Sequence, residues 1–130
     1  QTSSIARDLW INEIKSGKFY KLTDFEGEDR NPIFSKDEKS LYYLSEKDGT
    51  FNVWQIALPS KLGDKVTDTK QITKFTKHPV RFLTSSNDNK LCFSYNGDIY
   101  TKTAEGQPIK LKIYIKNEDR VLTTKNEIFS

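Results

Sequence analysis

Short apolar runs alternate with polar turns along this chain, and the runs come back in one order. "SLYYLS" (Ser40 to Ser45) and "KLCFSY" (Lys90 to Tyr95) are similar segments, with Leu41 and Leu91 50 residues apart. "YKLTDF" (Tyr20 to Phe25) and "KQITKF" (Lys70 to Phe75) place Leu22 and Ile72 at the same spacing. Between them stand strands bearing Trp10, Trp54 and Tyr100, 44 and then 46 residues apart. "RNPIFS" (Arg30 to Ser35) and "KHPVRF" (Lys77 to Phe82) open each unit when Pro32 is set against Pro79. The segments are five to seven residues long and rich in β-branched and aromatic side chains, which is strand chemistry. Asp48-Gly49 and Asn96-Gly97 supply hairpin turns, because Gly and Asn accept positive φ at low cost. Gly17 and Gly106 do the same between the third and fourth strands of a unit. No window carries a helical period; "ARDLWINEIKSG" comes nearest and is read as strand because its copies are strand.

The middle strands are apolar on both alternating faces, whereas a half-exposed sheet would alternate apolar and polar. Their sheets are therefore expected to be covered on both sides. "TKQITKFTK" is polar and Lys-rich, as an outer edge strand should be. Four strands per unit, a period of about 40–50 residues and two covered faces predict an all-β fold: a partial β-propeller of four-stranded antiparallel blades. The expected division is a partial blade at 1–29, full blades at 30–76 and 77–117, and a partial blade at 118–130. Both ends of such an arc leave a sheet face bare, so the expected cover is the rest of a parent propeller or self-association. The chain has no Met and begins with Gln1, which reads as a processed or excised piece.

"NPIFSKDEKSLYYLSEKDGTFNVWQI" resembles the TolB-type, WD-like propeller repeat through Pro32, Phe34, Ser35, Asp37, Leu41, Tyr43, Ser45, Asp48, Gly49, Val53 and Trp54. The next copy keeps Pro79, Leu91, Phe93, Gly97, Ile99 and Tyr100. "LCFSYNGDIYTKTAEGQP" is most similar to the copies in the propeller region of tricorn-like serine peptidases. That resemblance implies a non-catalytic propeller segment of a larger peptidase, serving substrate access, docking or assembly. The alternative it implies is a TolB-like protein-binding module of the bacterial cell envelope, with the periplasm or envelope favoured over the cytoplasm. Protein or peptide partners follow from either.

Composition narrows the chemistry. A hydrophobic fraction of 35% with 30% charge would suit a disordered chain, but the 16 aromatics (2 Trp, 6 Tyr, 8 Phe) fall inside the strand pattern. The 21 basic and 18 acidic residues are interleaved, so no basic stripe suggests nucleic acid. No apolar run reaches the length of a membrane span. Cys92 is the only cysteine, which excludes an intrachain disulfide and a Cys zinc cluster. His78 is the only histidine, and no nucleophile elbow or His-Glu-x-x-His appears, so no catalytic residue is assigned and no enzyme activity is expected of this segment. "DFEGEDR" (Asp24 to Arg30) gathers four carboxylates but lacks the order of a calcium loop, and reads as a solvated connection. No cofactor is implied. The candidate site is an insertion: 18 residues separate Trp54 from Ile72, against 12 between Trp10 and Leu22. Ser60, Lys61, Leu62, Gly63, Asp64 and Lys65 within it form the candidate partner-binding loop, since insertions in repeats fall on loops of one rim.

Overall fold

The structure is a computed structural model that describes residues 7–24, 27–86, 88–115 and 122–128. Among these residues every regular element is a strand, and three antiparallel sheets form in chain order. A hairpin joins β1 (Trp10–Glu13) to β2 (Lys18–Lys21). The central sheet is a meander of β3 (Asp29–Phe34), β4 (Ser40–Ser45), β5 (Asn52–Ala57) and β6 (Thr69–Gln71). The third sheet runs β7 (Val80–Ser85), β8 (Leu91–Tyr95), β9 (Asp98–Lys102), β10 (Ile109–Ile115) and β11 (Leu122–Ile128).

The central sheet is covered on both faces, as its two-faced apolar strands require. Leu41, Tyr43 and Ile56 point one way and pack on Leu9 and Leu22 of the hairpin unit, with Trp54 and Ile11 beside them. Tyr42, Leu44, Val53 and Ile72 point the other way and pack on Val80, Leu83, Leu91 and Phe93 of the third sheet. Equivalent positions reveal the order of the stack. Leu41 and Tyr43 in the central sheet match Leu91 and Phe93 in the third, and each pair faces the preceding sheet. Leu9 and Leu22 match Val53 and Ile72, and each pair faces the following one. Unlike faces therefore meet at both interfaces, and the sheets stack in one direction.

A recurring latch ends the outer strands of the first two sheets. The Thr23 hydroxyl accepts from Leu9 N at 2.9 Å, and the Thr73 hydroxyl accepts from Val53 N at 2.9 Å. Each hydroxyl also turns to the Asx residue before that amide: Thr73 donates to Asn52 Oδ1 at 2.8 Å and Thr23 to Asp8 Oδ1 at 3.4 Å. Taking the ladder bond with a side chain releases the backbone from the sheet, so β6 stops at Gln71. In the third sheet Tyr100 pairs with Lys110, as Trp54 pairs with Gln71, which puts Lys112 at the latch position. Without the hydroxyl, β10 continues to Ile115 and pairs with β11 along seven positions.

The structure corrects two expectations. Leu122–Ile128, read as opening another blade, is a fifth strand of the third sheet; residues 118–121, 129 and 130 of that segment lie outside the described residues. Pro32 does not match Pro79. Asp29 pairs with Ser45 and Val80 with Tyr95, and both first strands then bulge after an Arg, at Arg30 and Arg81. Asn31 (φ 58) and Phe82 (φ 55) occupy the same left-handed position in the two bulges, so the counterpart of Pro32 is Leu83. Prolines mislead here because a first strand tolerates Pro at several positions near its start. Trp10, read as strand, opens β1 and is 57% exposed, because no sheet packs on its side of the hairpin among the described residues.

Candidate binding surface around the 58–68 loop

The insertion between β5 and β6 folds back on the structure. Its base closes through Ala57 N to Asp68 O at 3.0 Å, and Leu58 N donates to Lys39 O at 2.9 Å. Leu58 and Val66 pack on the core shared with the hairpin. At its tip Asp64 N donates to Lys61 O at 3.1 Å, and Gly63 takes φ +101, which favours glycine. A Cβ on Gly63 would stand 3.2 Å from Tyr20 Cε1. The loop is long because it reaches across to β2 of the neighbouring sheet.

Two crevices flank it. One, of about 400 Å³, lies between the hairpin and the central sheet and includes Lys21, Thr23, Tyr43, Lys47 and, from the loop, Gly63, Asp64 and Lys65. The other, of about 600 Å³, is more apolar and is lined by Ile11, Phe34, Leu58, Pro59, Ser60 and Leu62 among others. Of the six candidate residues, five line one crevice or the other; Lys61 lines neither. All but the half-buried Leu62 are exposed.

The charges in the first crevice are mostly held. Lys21 Nζ lies 3.1 Å from Asp8 and 3.7 Å from Asp24, and its pKa is raised, first by the Asp8 hydrogen bond. Lys47 Nζ sits 4.6 Å over Trp54 and donates to the Tyr43 hydroxyl at 3.3 Å. Burial pushes the Tyr43 phenol far above its ordinary value.

Beneath this crevice the structure buries Asp29, only 2% exposed, where the third sheet has Val80. Its two oxygens make no hydrogen bond. Ser45 and Thr23 lie close enough to draw its pKa down, although the Thr23 hydroxyl turns its proton to Asp8 Oδ1 at 3.4 Å. Burial outweighs them and raises the carboxyl above its usual range. Read as part of a solvated loop, Asp29 is a strand residue, and the Arg30–Arg81 match would have revealed it. Phe25 and Glu26 of that loop lie outside the described residues.

Elsewhere, His78 is exposed, touches the Tyr95 ring edge-on at 5.7 Å between centroids, and hydrogen-bonds no hydroxyl or thiol among the described residues. Cys92 is half-buried and its pKa is raised by burial, which keeps it a thiol. Among the described residues no three His, Cys, Asp or Glu side chains gather as metal ligands, and no helix is long and apolar enough to cross a membrane.

No protein-family model matches the chain. Over 93 residues, 72% of its length, it is 27% identical to an uncharacterized protein of Agrobacterium fabrum, covering 30% of that protein. Over 93 residues it is 30% identical to the tricorn protease of Thermoplasma volcanium, covering 8% of that enzyme. The chain thus spans less than a third of either relative.

Proposed function

We propose that this chain is a non-catalytic β-propeller segment of a tricorn-like peptidase, holding or admitting peptide at the 58–68 loop. The observation that carries it is the direction of stacking. Two sheets related as a closed sandwich bring like faces together; here unlike faces meet twice, at Leu41/Tyr43 on Leu9/Leu22 and at Leu91/Phe93 on Val53/Ile72. Such head-to-tail contacts close into a ring where the rotation between sheets allows it, as blades do around an axis. The similarity to a tricorn protease supports the peptidase context.

The test is a peptide-binding screen on the purified chain with cleavage followed by mass spectrometry. Binding without cleavage is expected, and replacing residues 60–65 by a short Gly-Asn turn should abolish it. Cleavage, or binding that survives the replacement, rejects the proposal.

A further inference from the structure

Lys102 breaks the repeat at a buried position. In the central sheet Leu41 pairs with Ile56, and both face the preceding sheet. In the third sheet Leu91 pairs with Lys102 at the same place. Lys102 is 7% exposed, yet no carboxylate pairs with it among the described residues. Its Nζ donates to Thr103 O at 3.0 Å and Ala104 O at 3.1 Å. An ammonium has three donors, so one remains. Burial, with the nearby Lys70 charge, lowers its pKa, as expected for a cation lacking its counter-ion.

The same lysine lines a crevice of about 730 Å³ between the central and third sheets. Ile72, Phe75 and Tyr100 give it an apolar wall, and the exposed Lys70 and Lys74 add two further cations at its edge. Glu105, also on its lining, is exposed and forms no ion pair with Lys102. The crevice corresponds to the 400 Å³ one at the preceding interface, where Ile56 takes the place of Lys102 and Lys21 is already paired with carboxylates. A buried cation with one free donor beside an aromatic wall asks for one negative charge on an apolar group. We propose that this crevice binds a carboxylate carried on an apolar body, the carboxylate meeting Lys102 Nζ and the body lying on Ile72, Phe75 and Tyr100. A peptide ending in an apolar residue and a small organic acid share that chemistry. The proposal uses only this interface and stands whether or not the 58–68 loop binds peptide.

The experiment titrates the ¹⁵N-labelled chain with 3-phenylpropionate, 3-phenylpropionamide, and a short peptide ending in Phe as free acid or amide. Saturable shifts of the amides around Tyr100 and Lys102 are expected with an acid, and at least about tenfold weaker binding with its amide. Lys102→Met should erase the acid–amide difference while melting no lower than the wild type. Saturation by both acids identifies any small apolar acid as sufficient; saturation by the peptide acid alone identifies a chain terminus. Equal binding of acids and amides, no binding of either acid, or an intact preference in Lys102→Met overturns the proposal. If that variant does not fold, the acid–amide contrast in the wild type decides.

Discussion

Asp29 carries its charge where the repeat elsewhere stores a methyl group, and this has a signed consequence for pH. Its folded carboxyl titrates above the unfolded value of about 3.9, because burial disfavours the anion. Stability linked to this group is therefore fully present below that unfolded value and is lost as pH rises through the folded one. Asp8, Lys47 and Tyr43 are the other ionisable groups around it. Asp29→Val, which copies Val80, should raise stability at neutral pH by about 1–2 kcal/mol and flatten the fall between pH 4 and 7. Urea unfolding across that range measures both; an unchanged slope would mean that Asp29 is not the group responsible. Asn31 is a second informative residue. Its Nδ2 donates to Leu83 O at 2.7 Å and its Oδ1 accepts from Leu83 N at 3.1 Å, clamping the central sheet to the bulge of the third. Asn31→Ala loses both bonds and puts a Cβ-bearing, non-Asx residue at φ 58; a loss of about 2–4 kcal/mol is expected. Asn31→Gly relieves the φ term alone, so it should recover about 1 kcal/mol of that loss, read from the same unfolding curves. Neither residue was legible as special, since an Asp in an acidic loop and an Asn before a Pro have ordinary local explanations.

At the scale of elements, β4, β5, β8 and β9 were the most legible, because two-faced apolar runs bounded by Asp-Gly and Asn-Gly turns leave few alternatives. First strands were read at the wrong register, for their bulges add a residue that no hydrophobic period records. The fate of the outer strands depended on a hydroxyl. Thr23 and Thr73 sit in "LTDF" and "ITKF", which looked like strand interiors, yet they end the ladder. Thr73→Val keeps the shape and β propensity but leaves Val53 N, in a fully buried residue, without its acceptor. The expected cost is about 1–3 kcal/mol. Hydrogen exchange should show faster loss of protection at Val53 and Phe75, the latter because Asn52, which accepts from Phe75 N at 2.8 Å, loses its partner in Thr73. Slow exchange at both amides would mean that the latch does not hold the strand end. The candidate loop was legible as an insertion by counting, while its contact with Tyr20 was not, because it crosses between sheets.

The whole molecule is defined by one-way stacking, which leaves two unlike faces uncovered among the described residues. On the hairpin, Trp10 points away from the core at 57% exposure, although its counterpart Trp54 is packed. On the third sheet, Ile99 is 40% exposed, although its counterparts Leu9 and Val53 are buried. Both buried counterparts meet the kind of face that Trp10 presents, so the two ends are complementary to each other and not to themselves. Association between copies should then be head-to-tail, joining the Trp10 face of one chain to the Ile99 face of the next. Sedimentation velocity should show concentration-dependent growth for the wild type. Ile99→Lys or Trp10→Ser alone should each give a monomer, and an equal mixture of the two variants should stop at dimers, because each variant keeps one competent face. A like-with-like association would instead leave at least one single variant able to dimerise by itself, and a wild type that stays monomeric throughout the micromolar range would remove the argument that these faces are built to be covered.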